Sequence, residues 1–145
     1  MTANLERFVL AQGPVHAAAM DELRRARKTG HWMWFVFPQI AGLGRSEMSR
    51  RYAITDLDEA RDYLAHPVLG PRLLEAARLV LASGAGSAID VFGDIDAVKL
   101  RSSMTLFRRA APDEPVFAAV LDRFFDGRPD PATDERLERG ATTGS

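Results

Sequence analysis

The chain has 145 residues, of which 46% are hydrophobic and 27% are charged, as is ordinary for one globular domain. Its 19 basic and 20 acidic side chains give a net charge of −1, which excludes recruitment of nucleic acid or an anionic membrane by a strong overall field. The absence of cysteine excludes disulfides, thiol catalysis and cysteine-ligated metal.

The first residues and the apolar runs of the chain indicate where in the cell the protein is expected. The first residues show no basic segment followed by an apolar one, so we expect no signal peptide. The longest apolar run, Trp32 to Phe37, is far shorter than a helix that crosses a bilayer. We therefore expect a cytoplasmic protein with neither a membrane nor a nucleic-acid partner.

Most of the chain has the spacing and end signals of helices. Asn4 is placed to cap a first helix, and Pro14 suits the first turn of a second helix that runs to about Lys28. The run from His31 to Phe37 has no periodicity, because nearly every side chain is apolar. Such a run is either a buried strand or a short buried helix, and Pro38 ends it in both cases.

Further helices are predicted after a glycine-rich turn. Ser46 can cap a short helix to about Tyr52, and Asp56 with Glu59 resembles a capping box for a helix to about Ala65. The residues expected to open the later elements are, in order, Pro71, Ser87, Asp94 or Asp96, Asp113 and Asp130.

These elements predict an all-α fold: one compact domain of about six to eight orthogonally packed helices over residues 4–138, followed by a disordered tail over residues 139–145. We expect the core to contain apolar residues from most of the helices. They are Phe8, Trp34, Phe35, Leu64, Leu73, Val80, Met104, Phe107, Phe117, Leu121 and Phe124.

The segment 30–39 holds both tryptophans and is the first candidate for a site. Polar groups among aromatics need hydrogen-bond partners, and such mixtures often mark pockets. His31 is therefore a candidate general base or ligand contact, with a buried histidine bonded to a backbone carbonyl as the alternative. Trp32 is a candidate ligand contact, although packing is the commoner role of a large aromatic.

The turn over residues 38–46 is the second candidate. Its Gly-x-Gly is not a dinucleotide fingerprint, because position 47 is glutamate and Pro38 interrupts any preceding strand. Gln39 and Arg45 are candidate ligand contacts in this turn. Arg45 and the amides at Ser46 could hold an anion at the start of the following helix. The alternative is an ordinary turn with a serine cap.

The segment 99–107 is the third candidate, because it combines basic and hydroxyl side chains on a helix. Lys99 and Ser103 are i, i+4 neighbours, and Ser102 and Thr105 are i, i+3 neighbours. We interpret these four residues as a polar wall of a ligand site. A lysine–hydroxyl dyad or a Schiff-base lysine is the sharper alternative, and helix packing through small hydroxyl residues is the plainer one.

We predict no metal site and no cofactor. The three histidines, His16, His31 and His66, show neither His-x-x-x-His spacing nor a carboxylate at i+3 or i+4 on an obvious shared face.

The motif blocks resemble the family called domain of unknown function 1810, small bacterial proteins sometimes labelled calpastatin-like. The resemblance covers about residues 4–137 and implies a mainly helical single domain, with residues 32–37 as a helix. It implies no activity, substrate or catalytic residue. The segments that carry it include residues 4–9, 30–39, 42–46, 66–70 and 99–107.

Two classes of function follow from these blocks. The first is a protein or enzyme that binds a small anionic molecule, such as a nucleotide, an ADP-ribose-like compound or a sugar phosphate, in a polar pocket under the aromatic cluster. The second is a non-catalytic interaction or adaptor protein whose motif blocks are structural core. We favour the first class, and convergence of His31, Gln39, Lys99 and Ser102 on one pocket, with Arg45 at its mouth, would distinguish it. The sequence leaves the reaction and the oligomeric state open.

Overall fold

The computed structural model describes residues 5–143, and their side chains as far as residue 139. This part of the chain contains nine helices, against the six to eight expected, and no strand beyond one isolated parallel bridge between Ile40 and Ile54. The all-α prediction is confirmed. The helices are α1 (Glu6–Gln12), α2 (His16–Arg24), α3 (Met33–Val36), α4 (Glu47–Arg51), α5 (Leu57–Ala65), α6 (Leu69–Ala82), α7 (Ala88–Ala110), α8 (Pro115–Phe125) and α9 (Pro131–Thr143).

The helix caps that depend on neighbouring residues form as predicted. Ser46 Oγ accepts the amide of Ser49 at 3.1 Å at the start of α4. At the start of α5, Asp56 Oδ1 accepts the amide of Glu59 at 2.9 Å, and Glu59 Oε1 accepts the amide of Thr55 at 2.7 Å. These bonds satisfy amides that have no partner inside the helix.

Three helix ends differ from the predictions. Helix α2 stops at Arg24 rather than near Lys28, and Ala26 takes a left-handed backbone conformation with φ of 56°. Helix α6 begins at Leu69, before the proline, because His66 Nδ1 accepts the amides of Val68 and Leu69 at 3.1 and 3.2 Å.

Helix α8 is capped by Glu114 rather than Asp113, since a Glu114 carboxylate oxygen accepts the amide of Val116 at 3.2 Å. The predicted tail over 139–145 overlaps α9, which continues to Thr143. Residues 144 and 145, and the predicted cap at Asn4, lie outside the described residues.

Helix α7 includes two elements that were predicted separately, one opened by Ser87 and one opened by Asp94 or Asp96. Ser87 Oγ accepts the amide of Asp90 at 3.1 Å and caps it, and Gly93 kinks it with φ of 80° and ψ of 170°. Glycine alone adopts this conformation without strain. The kink separates Phe92, which is buried, from the exposed turn that begins at Asp94.

The core is built around α7, which packs against α3, α5, α8 and α9. The predicted core is confirmed for eight residues, whereas Trp34, Leu64 and Phe124 are half-buried at its edge. Trp32, at 1% exposure, is the buried indole of the pair. The eight confirmed residues are Phe8, Phe35, Leu73, Val80, Met104, Phe107, Phe117 and Leu121.

Among the described residues, no helix combines the length and apolar character required to cross a membrane.

Candidate functional site

The only two lysines of the chain converge on one carboxylate. Lys28 Nζ lies 2.8 Å from Asp96 Oδ2, and Lys99 Nζ lies 3.2 Å from Asp96 Oδ1. The side chains are 7%, 18% and 19% exposed for Lys28, Lys99 and Asp96, so all three are largely withdrawn from solvent. We call these three residues the lysine cluster. The remaining 17 basic residues of the chain are arginines, so every lysine side chain of the sequence belongs to this cluster.

Each lysine of the cluster also faces one of the two tryptophans. Lys28 Nζ lies 5.1 Å from the ring centroid of Trp32, and Lys99 Nζ lies 4.5 Å from that of Trp34. Both distances fall in the range of cation–π attraction. The two ammonium groups are thus held between a shared carboxylate and an indole each, which fixes their positions.

The turn after α2 places Lys28 and Trp32. One carboxylate oxygen of Glu22 accepts the amides of Thr29 and Gly30 at 2.7 and 2.8 Å and the indole N–H of Trp32 at 3.1 Å. Burial disfavours the charged form of Glu22, but these hydrogen bonds outweigh it and lower the pKa of the carboxyl. Lys28 Nζ also donates to the carbonyl of Gly30 at 2.5 Å. A Cβ on Gly30 would come within 2.8 Å of the Trp32 ring, so this turn requires glycine.

A second buried polar group fixes α3 and therefore Trp34. Gln12 Nε2 donates to the carbonyl of Phe35 at 2.7 Å and to the hydroxyl of Tyr63 at 2.9 Å, and Arg72 donates to Gln12 Oε1 at 3.3 Å. Burial raises the pKa of the Tyr63 phenol, which stays neutral. The Tyr63 hydroxyl in turn donates to the carbonyl of Phe35 at 3.4 Å, so this carbonyl of α3 is bonded to both α1 and α5.

Two surface grooves adjoin the lysine cluster. The first has a volume of about 450 Å³ and is lined by Lys28, His31, Met33, Trp34 and residues 92–96. The second has a volume of about 320 Å³ and is lined by Gln39, Leu43, Gly44, Ser49, Ile95, Val98 and Lys99. Ile95 lines both grooves, so they meet at the first turn of α7 after the kink. Within the described residues, no three His, Asp or Glu side chains are grouped as metal ligands would be.

The polar wall predicted on α7 instead contacts the start of α9. Ser102 Oγ donates to Asp130 Oδ2 at 3.1 Å, and Thr105 Oγ1 accepts the amide of Asp130 at 2.8 Å. Ser103 is fully buried, and its hydroxyl has no hydrogen-bond partner within the described part of the chain. None of these three hydroxyls lines either groove.

The structure therefore brings only part of the predicted set together. His31 is an exposed residue of the first groove, Gln39 and Lys99 line the second, and Trp32 lies beside Lys28 in the core. Arg45 is exposed and lines neither groove.

Sequence reasoning missed Lys28 and Asp96 and assigned Trp34 to the core. One signal was available: the chain uses lysine only twice, against 17 arginines. An ammonium and a guanidinium are not interchangeable, so the two exceptions were candidates for positions that use a compact charge.

Comparison with known proteins places the chain in a family. The family model described as "Protein of unknown function (DUF1810)" matches residues 2–137, and the chain belongs to this family. It is similar to the conserved hypothetical protein Rv1873 from Mycobacterium tuberculosis, whose crystal structure shares 48% sequence identity and superposes with a TM-score of 0.92. That match covers 93% of this chain and 96% of the other. No curated protein was found to match.

Proposed function

We propose that the protein binds a small phosphorylated molecule, of the nucleotide or sugar-phosphate class, at the lysine cluster. The observation that carries the proposal is the convergence of both lysines on Asp96, each against a tryptophan, between two adjoining grooves.

The charge of the cluster favours an anion. Two ammonium groups and one carboxylate carry a net charge of +1, and one lysine would be enough to neutralise Asp96. Asp94, the other carboxylate at the first groove, is exposed to solvent and has no ion pair with either lysine among the described residues. Withdrawing a second cation from water is costly unless another negative group compensates it. A phosphate over the cluster would supply that compensation.

The hydrogen-bond count of the cluster leaves donors for a ligand. An ammonium group has three N–H donors. Lys28 uses two of them, on Asp96 and on the Gly30 carbonyl, and Lys99 uses one on Asp96. The remaining donors are held by side chains that are already ordered, so binding loses little rotamer entropy. Phosphate oxygens are suitable acceptors for such donors.

The first groove supplies further contacts for the body of the ligand. Trp34 is half-buried and offers an indole surface, and His31 and Asp94 are exposed polar side chains at the same groove. Histidine and carboxylate groups can hydrogen-bond sugar hydroxyls, and an indole face can cover an apolar ring face. The groove volume lies within the range typical of small-molecule sites.

The experiment is a thermal-shift and calorimetric titration with ribose 5-phosphate, AMP and ADP-ribose. At 100 times the dissociation constant, a ligand stabilises the fold by about 2.7 kcal/mol, which raises the melting temperature by about 5–10 °C. Lys99→Met removes one ammonium and should abolish the shift. The control Arg61→Met removes an exposed cation on α5 and should keep it. Absence of binding by all three probes, or full binding by Lys99→Met, would contradict the proposal.

A protein-interaction role is the second candidate, and one observation favours it. Ile95 and Val98 are 74% and 60% exposed on one face of α7, which is unusual for aliphatic residues. If this face pairs with a second copy of the chain, sedimentation should show a dimer that the double variant Ile95→Ser, Val98→Ser converts to monomer. A wild-type protein that remains monomeric at high concentration would exclude this self-association.

A further inference from the structure

We propose that the second groove binds a flat nitrogen heterocycle of the nucleobase kind, whose edge is read by the side chain of Gln39. The inference deepens the proposed function and rests on it for the phosphate, because it makes the ligand a nucleotide rather than a plain sugar phosphate.

The side chain of Gln39 is an unused hydrogen-bonding group at this groove. The residue is half-buried, and its carboxamide makes no hydrogen bond to any residue that the structure describes. A carboxamide presents an acceptor and two donors side by side. A ligand can pair with the carboxamide oxygen and nitrogen at once if it carries a donor and an acceptor next to each other. The edge of a nucleobase has this arrangement, and glutamine forms such paired hydrogen bonds with adenine.

The backbone around Gln39 is held, so its side chain starts from a fixed point. The carbonyl of Gln39 accepts the amide of Ile54 at 2.8 Å, and the carbonyl of Ile54 accepts the amide of Ala41 at 2.8 Å. On the far side of the turn, Arg136 of α9 donates to the carbonyl of Gly42 at 3.1 Å. The turn that carries the groove wall is thus bonded at two points.

The other walls of the groove are apolar and suit a flat ring. Leu43 is half-buried, and Ile95 and Val98 are among the most exposed aliphatic side chains of the described residues. Gly44 and Ser49 also line the groove and lie tightly together, since a Cβ on Gly44 would come within 2.4 Å of Ser49 Oγ. A ring in the groove would cover aliphatic surface that is otherwise in contact with water, which is favourable.

The position of Lys99 connects the heterocycle to the lysine cluster. Lys99 lines the second groove, while its ammonium contacts Asp96, which lines the first. A ligand with a ring against Gln39 can therefore extend past Lys99 and place its phosphate on the cluster. One continuous molecule would then occupy both the groove and the cluster.

Calorimetry with AMP, adenosine and ribose 5-phosphate tests this assignment, because the last two lack either the phosphate or the base. We expect AMP to bind the wild-type protein at least about tenfold more tightly than ribose 5-phosphate does. Gln39→Ala should weaken AMP and adenosine by about tenfold, as loss of a paired amide contact does, and should leave ribose 5-phosphate unchanged. Val98→Ala should also weaken AMP, whereas Leu10→Ala, an exposed apolar change on α1, should not.

The outcomes separate this inference from the function on which it rests. Equal affinity for AMP and ribose 5-phosphate, or an equal loss for both in Gln39→Ala, would overturn the heterocycle site and leave the phosphate site in place. Adenosine binding that depends on Gln39, with AMP binding no more tightly than adenosine and no binding of ribose 5-phosphate, would support the heterocycle site and overturn the phosphate site. Absence of binding by both AMP and adenosine would overturn the heterocycle site.

Discussion

Removal of the shared carboxylate tests whether the lysine cluster is a fixed element of the fold. Asp96→Ala deletes the partner of both ammonium groups, at 2.8 Å from Lys28 and 3.2 Å from Lys99. Lys28 keeps the carbonyl of Gly30 and the indole of Trp32, but neither is an anion. The variant therefore leaves two like charges close together and largely withdrawn from water.

The expected loss lies between the values for exposed and for buried ion pairs. Exposed pairs contribute about 0–1 kcal/mol, and breaking a buried pair costs about 3–5 kcal/mol. Lys28, at 7% exposure, is close to the buried case, whereas Lys99 at 18% can reach water more easily. We expect Asp96→Ala to lower the free energy of unfolding by about 2–4 kcal/mol, a large part of the about 5–15 kcal/mol of a typical domain.

Urea denaturation with linear extrapolation measures this loss, provided that the slope of the free energy against urea is unchanged. Asp58→Ala is the matched control, because it removes an exposed carboxylate paired with Arg61, and it should cost less than about 1 kcal/mol. The double variant Asp96→Ala, Lys28→Met should recover part of the loss, since the stranded charge is gone. If Asp96→Ala costs no more than Asp58→Ala, the lysines turn freely to solvent and the cluster is not preorganised.

Two further predictions concern a close backbone contact between α6 and α5 and the carboxylate that holds the turn after α2. A Cβ on Gly70 would lie 2.1 Å from the carbonyl oxygen of Leu64, so Gly70→Ala should lower the unfolding free energy by about 1–3 kcal/mol in thermal melts. In the control Gly13→Ala the new Cβ meets a carbonyl at 3.6 Å, and an equal loss there would show that the backbone clash is not the cause. Because the pKa of Glu22 is lowered in the folded state, its stabilising effect is complete above the usual glutamate pKa of about 4.3 and is lost as the pH falls through the folded value. Glu22→Gln should therefore be less stable than wild type at neutral pH and approach it in acid, and a gap that stays constant with pH would refute this.

What the sequence could predict is the local part of the structure. Ser46 and Asp56 cap their helices as expected, since a cap depends only on residues two or three positions away. The end of α2 was misplaced because Ala26 adopts a left-handed conformation that alanine rarely shows.

The site was less accessible because its contacts join distant parts of the chain. Spacing correctly made Ser102 and Thr105 i, i+3 neighbours on α7, but it could not show that the start of α9 covers them. The direction of the four-residue helix α3 decides which of the two tryptophans is buried. Hydrophobic periodicity cannot predict the direction of so short a helix. Lys28 and Asp96 meet only after the turn that follows α2 has docked on α7, where the amide of Lys28 donates to the carbonyl of Val91 at 2.8 Å. Composition gave the one hint of their pairing.

The placement of Trp32 and Trp34 gives the protein an intrinsic optical reporter at its candidate site. All tryptophan fluorescence of the chain originates within a few ångströms of Lys28 and Lys99. Trp32 is shielded by the core, whereas Trp34 is half-buried and within reach of solvent. The emission spectrum is thus the sum of a component protected from soluble quenchers and an accessible one. Each component monitors its own ammonium group in the unlabelled protein.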